Sequence, residues 1–165
     1  MKAFELLVEK YQKTVFNVAL RMTRSRSDAE DITQTAFLRT FEKLGSFNPK
    51  YKFFSWLYRI VLNESLNVLS RQKRHEHLDE DVMMPGKSVE EAHDDVETSE
   101  QIQDALMELK ADYRVVVILK HFQDLSYEEI SGILNIPEKK VKSRLFTARV
   151  LLKEALLKKG MGTHG

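Results

Sequence analysis

The sequence predicts an all-α protein of two small helical domains joined by a flexible acidic linker, and three observations carry that prediction. Only three prolines and six glycines stand among 165 residues, few of them inside periodic segments, so long helices are expected and an all-β fold is not. Apolar residues recur every three to four positions on both sides of the chain's centre, the repeat of helices with one buried face. Between those parts, residues 76–100 hold ten carboxylates against the single base Lys87, a charge of −9, while the remainder carries +10. Two basic lobes spaced by an acidic tether point to a polyanionic partner that the lobes meet and the tether does not.

The first helix is written by Phe4, Leu7, Tyr11, Val15, Val18 and Met22, which line one face. The basic cluster from Arg21 to Arg26 closes it and suits the negative end of the helix dipole. Ser27 and Glu30 then form a capping box that opens the next helix, with Ala29, Ile32, Ala36, Phe37 and Leu44 as its buried side. Asp28, Asp31, Gln34, Thr35, Arg39 and Glu42 cover the rest of its surface. Periodicity alone does not separate a solvated polar face from one that docks on a protein.

Gly45 to Lys52 is a turn with Asn48-Pro49 as its breaker. A third helix follows, and its start is crowded with Tyr51, Phe53, Phe54, Trp56 and Tyr58, interleaved with Lys52 and Arg59 and followed by Arg71, Lys73 and Arg74. Leu57, Ile60 and Val61 continue the same stripe, so part of this cluster belongs to the core. Aromatics beside cations also describe a surface that stacks unpaired bases, at about 1–3 kcal/mol per base, and both readings stand on the residues alone. His75, His77 and His93 lie among the linker carboxylates without fixed ligand spacing, so a charged tether and no metal are expected there.

After the linker, Ile102, Ala105, Leu106 and Leu109 form a helical stripe, and Asp112 is placed to cap a helix whose Val115, Val116, Leu119 and Phe122 point inward. Leu125 to Leu157 then reads as a helix-turn-helix. Ser126 and Glu129 make a capping box, Leu125 and Ile130 a hydrophobic staple, and Asn135-Ile136-Pro137 a break with Pro137 in the first turn of the next helix. In that second helix Val141, Leu145, Ala148 and Leu152 share one stripe. Lys139, Ser143, Phe146 and Thr147 point the opposite way, and Lys140, Lys142 and Arg144 flank them, the layout of a helix that reads base edges outward and meets phosphates at its sides. The plainer alternative is a solvated basic helix in a bundle. Residues 158–165 lack periodicity and should fray.

Several classes of function are set aside by what is missing. The chain has no cysteine, no run of 18 apolar residues, no Gly-rich phosphate loop, no His-Glu-x-x-His and no Ser-His-Asp set in a recognisable context. Neither catalytic residues nor a cofactor nor membrane insertion is expected, and a cytoplasmic location is.

In their order, DAEDITQTAFLRTFEKL, FSWLYRIVLNESLNVLSR, the acidic linker and LSYEEISGILNIPEKKVKSRLFTAR resemble a bacterial RNA polymerase sigma factor of the sigma-70 family, extracytoplasmic-function group. The resemblance implies residues 1–75 as region 2, 76–100 as linker and 101–165 as region 4, and a polymerase subunit rather than an enzyme. It implies that Asp28, Asp31, Gln34, Thr35, Arg39 and Glu42 dock on the β′ clamp coiled coil of core polymerase, with region 4 meeting the β flap. Tyr51, Lys52, Phe53, Phe54, Trp56, Tyr58, Arg59, Asn63, Asn67, Arg71, Lys73 and Arg74 would then capture and open the -10 element. Lys139, Lys140, Lys142, Ser143, Arg144, Phe146, Thr147 and Arg149 would read the -35 element of promoter DNA in the major groove. A membrane-anchored anti-sigma factor is the further partner the family implies.

Overall fold

The computed structural model describes residues 2–50, 52–78 and 94–160, and every regular element among them is helical. Helices α1 (Lys2–Thr23), α2 (Arg26–Lys43) and α3 (Phe53–Leu78) form an N-terminal lobe. Helices α4 (Asp94–Glu108), α5 (Ala111–Val117), α6 (Tyr127–Leu134) and α7 (Glu138–Lys158) form the C-terminal lobe, with a π-helical turn, Ile118–Phe122, continuing α5. Tyr51 and residues 79–93 and 161–165 lie outside the described residues.

The apolar stripes fold as their spacing predicts. Val15, Val18 and Met22 of α1 meet Ala29, Ile32 and Ala36 of α2 and Leu57 and Val61 of α3, all at most 2 % exposed. In the C-terminal lobe Leu106, Val116, Leu119, Ile130, Val141, Leu145 and Ala148 are closed off in the same way. Buried hydroxyls in the N-terminal core satisfy themselves locally: Thr23, Thr33, Thr40 and Ser65 each donate to the carbonyl four residues earlier, at 2.6–2.9 Å.

Helix ends match the sequence where the signal is unambiguous and depart from it where two signals compete. Ser126 caps α6 and Glu129 completes the capping box, and Asn135 ends the helix in the left-handed conformation that Asn tolerates. For α2 the cap is Ser25, whose hydroxyl accepts from the Asp28 N–H at 3.2 Å, and Ser27 sits inside the helix. Both serines have an acid three residues on; the tight turn after α1, where Arg24 takes φ 54°, leaves Ser25 the extended one and so decides between them. Pro137 stands at the N-cap of α7 and not within its first turn. Asp112 lies inside α5, which starts after Lys110 without a side-chain cap; the carboxylate there complements the dipole. Leu44 falls beyond α2 in a 3-10 turn and is exposed. Helices also occupy both ends of the stretch read as linker, since α3 continues to Leu78 and α4 begins at Asp94.

The two lobes share one core: a single apolar cluster runs from α1, α2 and α3 into α5, α6 and α7. At the junction Arg114, only 6 % exposed, donates to the carbonyls of Leu106 and Leu109 behind α4 and to Met22 O at the end of α1. Its charge is met by the negative ends of two helices, and burial pulls its pKa below the ordinary arginine value. The cluster read as a dipole complement does more than that. Arg21 stacks on Phe122 with its guanidinium carbon 3.9 Å from the ring centre, Arg24 pairs with Asp104, and the Gln103 amide donates to Arg21 O at 2.9 Å.

Candidate nucleic-acid interface

Helix α7 divides along its length into two sides. Val141, Leu145 and Ala148 are fully buried, whereas Lys139, Lys140, Lys142, Ser143 and Arg149 are exposed, Arg144 and Thr147 are half-buried, and Phe146 is 71 % exposed. An outward phenylalanine that no core residue covers is costly in water and suits contact with an apolar group such as a thymine methyl. The face is lightly tethered from its sides. Lys142 Nζ sits 5.4 Å from the Tyr127 ring centre, and Arg149 Nε donates to His121 Nε2 at 3.1 Å. Burial, with the charges of Arg149 and Lys120, holds His121 below its ordinary pKa, which keeps Nε2 free to accept that bond.

Helix α3 carries the second candidate face, and its two halves behave differently. Arg59, Asn63, Asn67, Arg71 and Arg74 recur at helical spacing on one exposed stripe, with Lys73 beside it. Toward the start, Phe53, Phe54 and Trp56 are half-buried; Phe53 and Trp56 pack on each other and on Phe47, and Phe53 on Tyr11, with ring centres 5.2–5.8 Å apart, while Phe54 meets Tyr58 at 5.9 Å. The core reading of these aromatics holds in part, since Phe53, Phe54 and Trp56 are half-buried and pack against the apolar cluster. Tyr58 is buried, and its hydroxyl donates to Gln123 Oε1 at 2.9 Å. Burial, with nearby Tyr11 and Glu129, pushes its pKa up to about 12. Lys52 reaches Glu129 at 3.3 Å, and Arg59 donates to the carbonyls of Ile133 (3.2 Å) and Gly132. The hydrogen bond from the Ser126 N–H, opposed by burial and aided by Lys52, leaves the Glu129 carboxyl below its ordinary pKa.

The polar face of α2 is only partly open. Asp31, Gln34 and Glu42 are exposed, and Leu38, 63 % exposed, lies among them. Arg39 is paired with the nearly buried Glu64 of α3 at 2.5 Å, Asp28 accepts from Gln72 at 2.6 Å, and Thr35 is half-buried.

Two helical lobes, one presenting α7 with a cationic outward side and the other an aromatic-cationic stripe on α3, narrow the possibilities, and comparison decides among them. The family described as Sigma-70 region 2 matches residues 7–75, and Sigma-70, region 4 matches residues 99–152. The chain belongs to the sigma-70 family. It is similar to the ECF RNA polymerase sigma factor SigW of Bacillus subtilis, 34 % identical over 93 % of this chain and 89 % of that one. The RNA polymerase sigma-H factor of Pseudomonas aeruginosa is 30 % identical over 94 % of this chain and 86 % of its own. Among solved structures, the sigma factor RpoE in complex with the anti-sigma factor NepR from Bartonella quintana superposes with a TM-score of 0.81 at 25 % identity, covering 96 % of this chain and 98 % of that one. CnrH, solved with the cytosolic domain of CnrY, shares the fold at a TM-score of 0.72 and 23 % identity, covering 96 % and 89 %.

In this sigma factor of the ECF type, region 2 is therefore the N-terminal lobe and region 4 the C-terminal one. Sequence reasoning missed the residues that join them. Arg114 had a signal, since it stands one helical turn before Ile118 on the buried stripe, where a cation is out of place unless carbonyls surround it. Gln103, Asp104 and Gln123 had none, because their partners lie 65 to 82 residues away. No helix among the described residues is long and apolar enough to cross a membrane.

Proposed function

We propose that this sigma factor binds core RNA polymerase through the exposed face of α2 and through region 4, and directs initiation at its own class of promoters without catalytic chemistry of its own. Region 4 reads the -35 element with α7 in the major groove, and region 2 takes the -10 strand along α3. The observation that carries the reading is the division of α7, with Val141, Leu145 and Ala148 sealed and Lys139, Ser143 and Phe146 turned out, behind a capped α6 that fixes its angle. Flipping a base from the duplex costs a few kcal/mol, which stacking and phosphate contacts along the Asn63-to-Arg74 stripe can recover without fuel. An anti-sigma protein, held at the membrane, is the expected regulator; the RpoE of Bartonella quintana, solved in complex with the anti-sigma factor NepR, supports a partner of that kind.

The test is a reconstituted transcription assay with purified chain, core polymerase and genomic templates, beside gel shifts with and without core. New start sites that need both components are the expected result. Operator binding by the chain alone, at affinities unchanged by core, would instead make it a self-sufficient helix-turn-helix regulator.

A further inference from the structure

We propose that His121, which lies outside α7, belongs to the duplex-facing set of region 4: it ties Arg149 down while neutral and, once protonated, joins Arg149 in gripping one phosphate of the DNA backbone. The inference rests on the reading of α7 as the helix that enters the major groove. His121 is exposed near the end of the π-helical turn. Its Nε2 accepts from Arg149 Nε at 3.1 Å, so the neutral ring carries its proton on Nδ1. Lys120, the residue before it, lies 4.6 Å from the centre of the Tyr127 ring, and Lys142 approaches the same ring at 5.4 Å. Three cations and a histidine are thus drawn from the π-helical turn and α7 to the start of α6. Among the described residues no carboxylate is paired with Lys120, Lys142 or Arg149. Like charges gathered without an internal counter-ion repel one another, and a polyanion from outside relieves them.

The contact as it stands holds back part of that grip. A guanidinium whose Nε–H is engaged by an imidazole has only its terminal nitrogens left for a phosphate, and the uncharged ring adds no attraction of its own. When the ring takes a proton from solvent, Nε2 turns from acceptor to donor. Two N–H groups then face each other, and a phosphate oxygen set between them accepts from both. In the free chain partial burial and the charges of Arg149 on α7 and Lys120 on its own turn, both cations, hold the His121 pKa below its ordinary value. A phosphate reverses that balance and raises it. The added affinity is therefore present below the free value and lost as pH rises through the bound one.

The full chain and a fluorescein-labelled duplex of mixed sequence supply the test, since phosphate contact needs no promoter. From about pH 7.5 to about pH 5.5, on either side of the ordinary histidine value, wild-type affinity should tighten by about three-fold or more and its salt slope steepen by about 1. His121→Gln keeps an acceptor for Arg149 but takes no proton, and should show less than about half of either change. His121→Lys, charged throughout, should hold the steeper slope at both pH values. His75, His77, His93 and His164 titrate in all three chains, so the differences belong to position 121. The ring-proton NMR signal missing from His121→Gln reports the His121 titration directly, and its midpoint should rise when duplex is added. A wild-type slope indifferent to pH, an equal steepening in His121→Gln, or a midpoint that duplex leaves unmoved or lowers would overturn the proposal. If core-dependent transcription is intact in that event, the promoter reading survives and the His121 assignment alone fails; if no start site is redirected either, the promoter reading has failed with it.

Discussion

Helices α3 and α7 offer the same side-chain classes, cations beside aromatics, yet their neighbours give them opposite fates. On α7 the phenylalanine is outside and most of the cationic heads are free, because the buried stripe is confined to Val141, Leu145, Ala148 and Ala155. On α3 the rings at the start lean on one another and on α1, and Lys52 and Arg59 are engaged by another lobe. What a side chain is able to bind follows from its chemistry; whether it is available is decided by contacts distant in sequence.

The largest expected effect probes the buried side of that contrast. Leu145→Ala should cost about 2–5 kcal/mol in urea unfolding, whereas Phe146→Ala, its neighbour in sequence, should stay within about 0.5 kcal/mol. Comparable losses would erase the division of α7. Next, Phe146→Ala should change which promoters are used, by about 1–3 kcal/mol at the affected base pair, while Lys142→Ala weakens binding at all promoters and lowers the salt slope by about 1. Promoter-profiling across salt concentrations checks both, and indistinguishable profiles would contradict the assigned faces.

Smaller effects sharpen the comparison of helix starts. Ser126→Ala and Ser25→Ala should each cost about 1 kcal/mol, and Ser27→Ala only a few tenths. A larger loss at Ser27 than at Ser25 in thermal melts would restore the capping box read from sequence. The smallest effect is the pH response of α7. His121 binds its proton less readily when folded than when unfolded, so stability should fall as pH drops below its ordinary value of 6.5, and Arg149 should lose its acceptor. Urea midpoints between neutral and mildly acidic pH should show this slope in the wild type and a shallower one in His121→Gln; equal slopes would remove the histidine from the account.

These cases also mark how far the sequence could be read. The α6 cap and the two sides of α7 were legible because every participant lies within a few turns of helix, so spacing alone places them. The start of α2 was misplaced by a degenerate local signal, Ser25 before Asp28 and Ser27 before Glu30, that only the geometry of the preceding turn resolves. The lobe junction was not legible at all. Lys52, Tyr58 and Arg59 find partners 65 to 77 residues on, across a stretch whose charge invited the picture of two independent bodies on a tether. An acidic linker speaks for the linker's own solvation and says nothing about whether the bodies it joins share a core.

A helix of eight residues whose final carbonyls are tied off by a guanidinium from a different lobe has an end that belongs to two structural units at once. Arg59→Ala should let that end fray by local unfolding while the capped start holds, so that the backbone amides of its last turn exchange with solvent sooner than those of α7. Amide exchange along so short a segment then reports on the join between the lobes, readable without any label and without knowing the promoter.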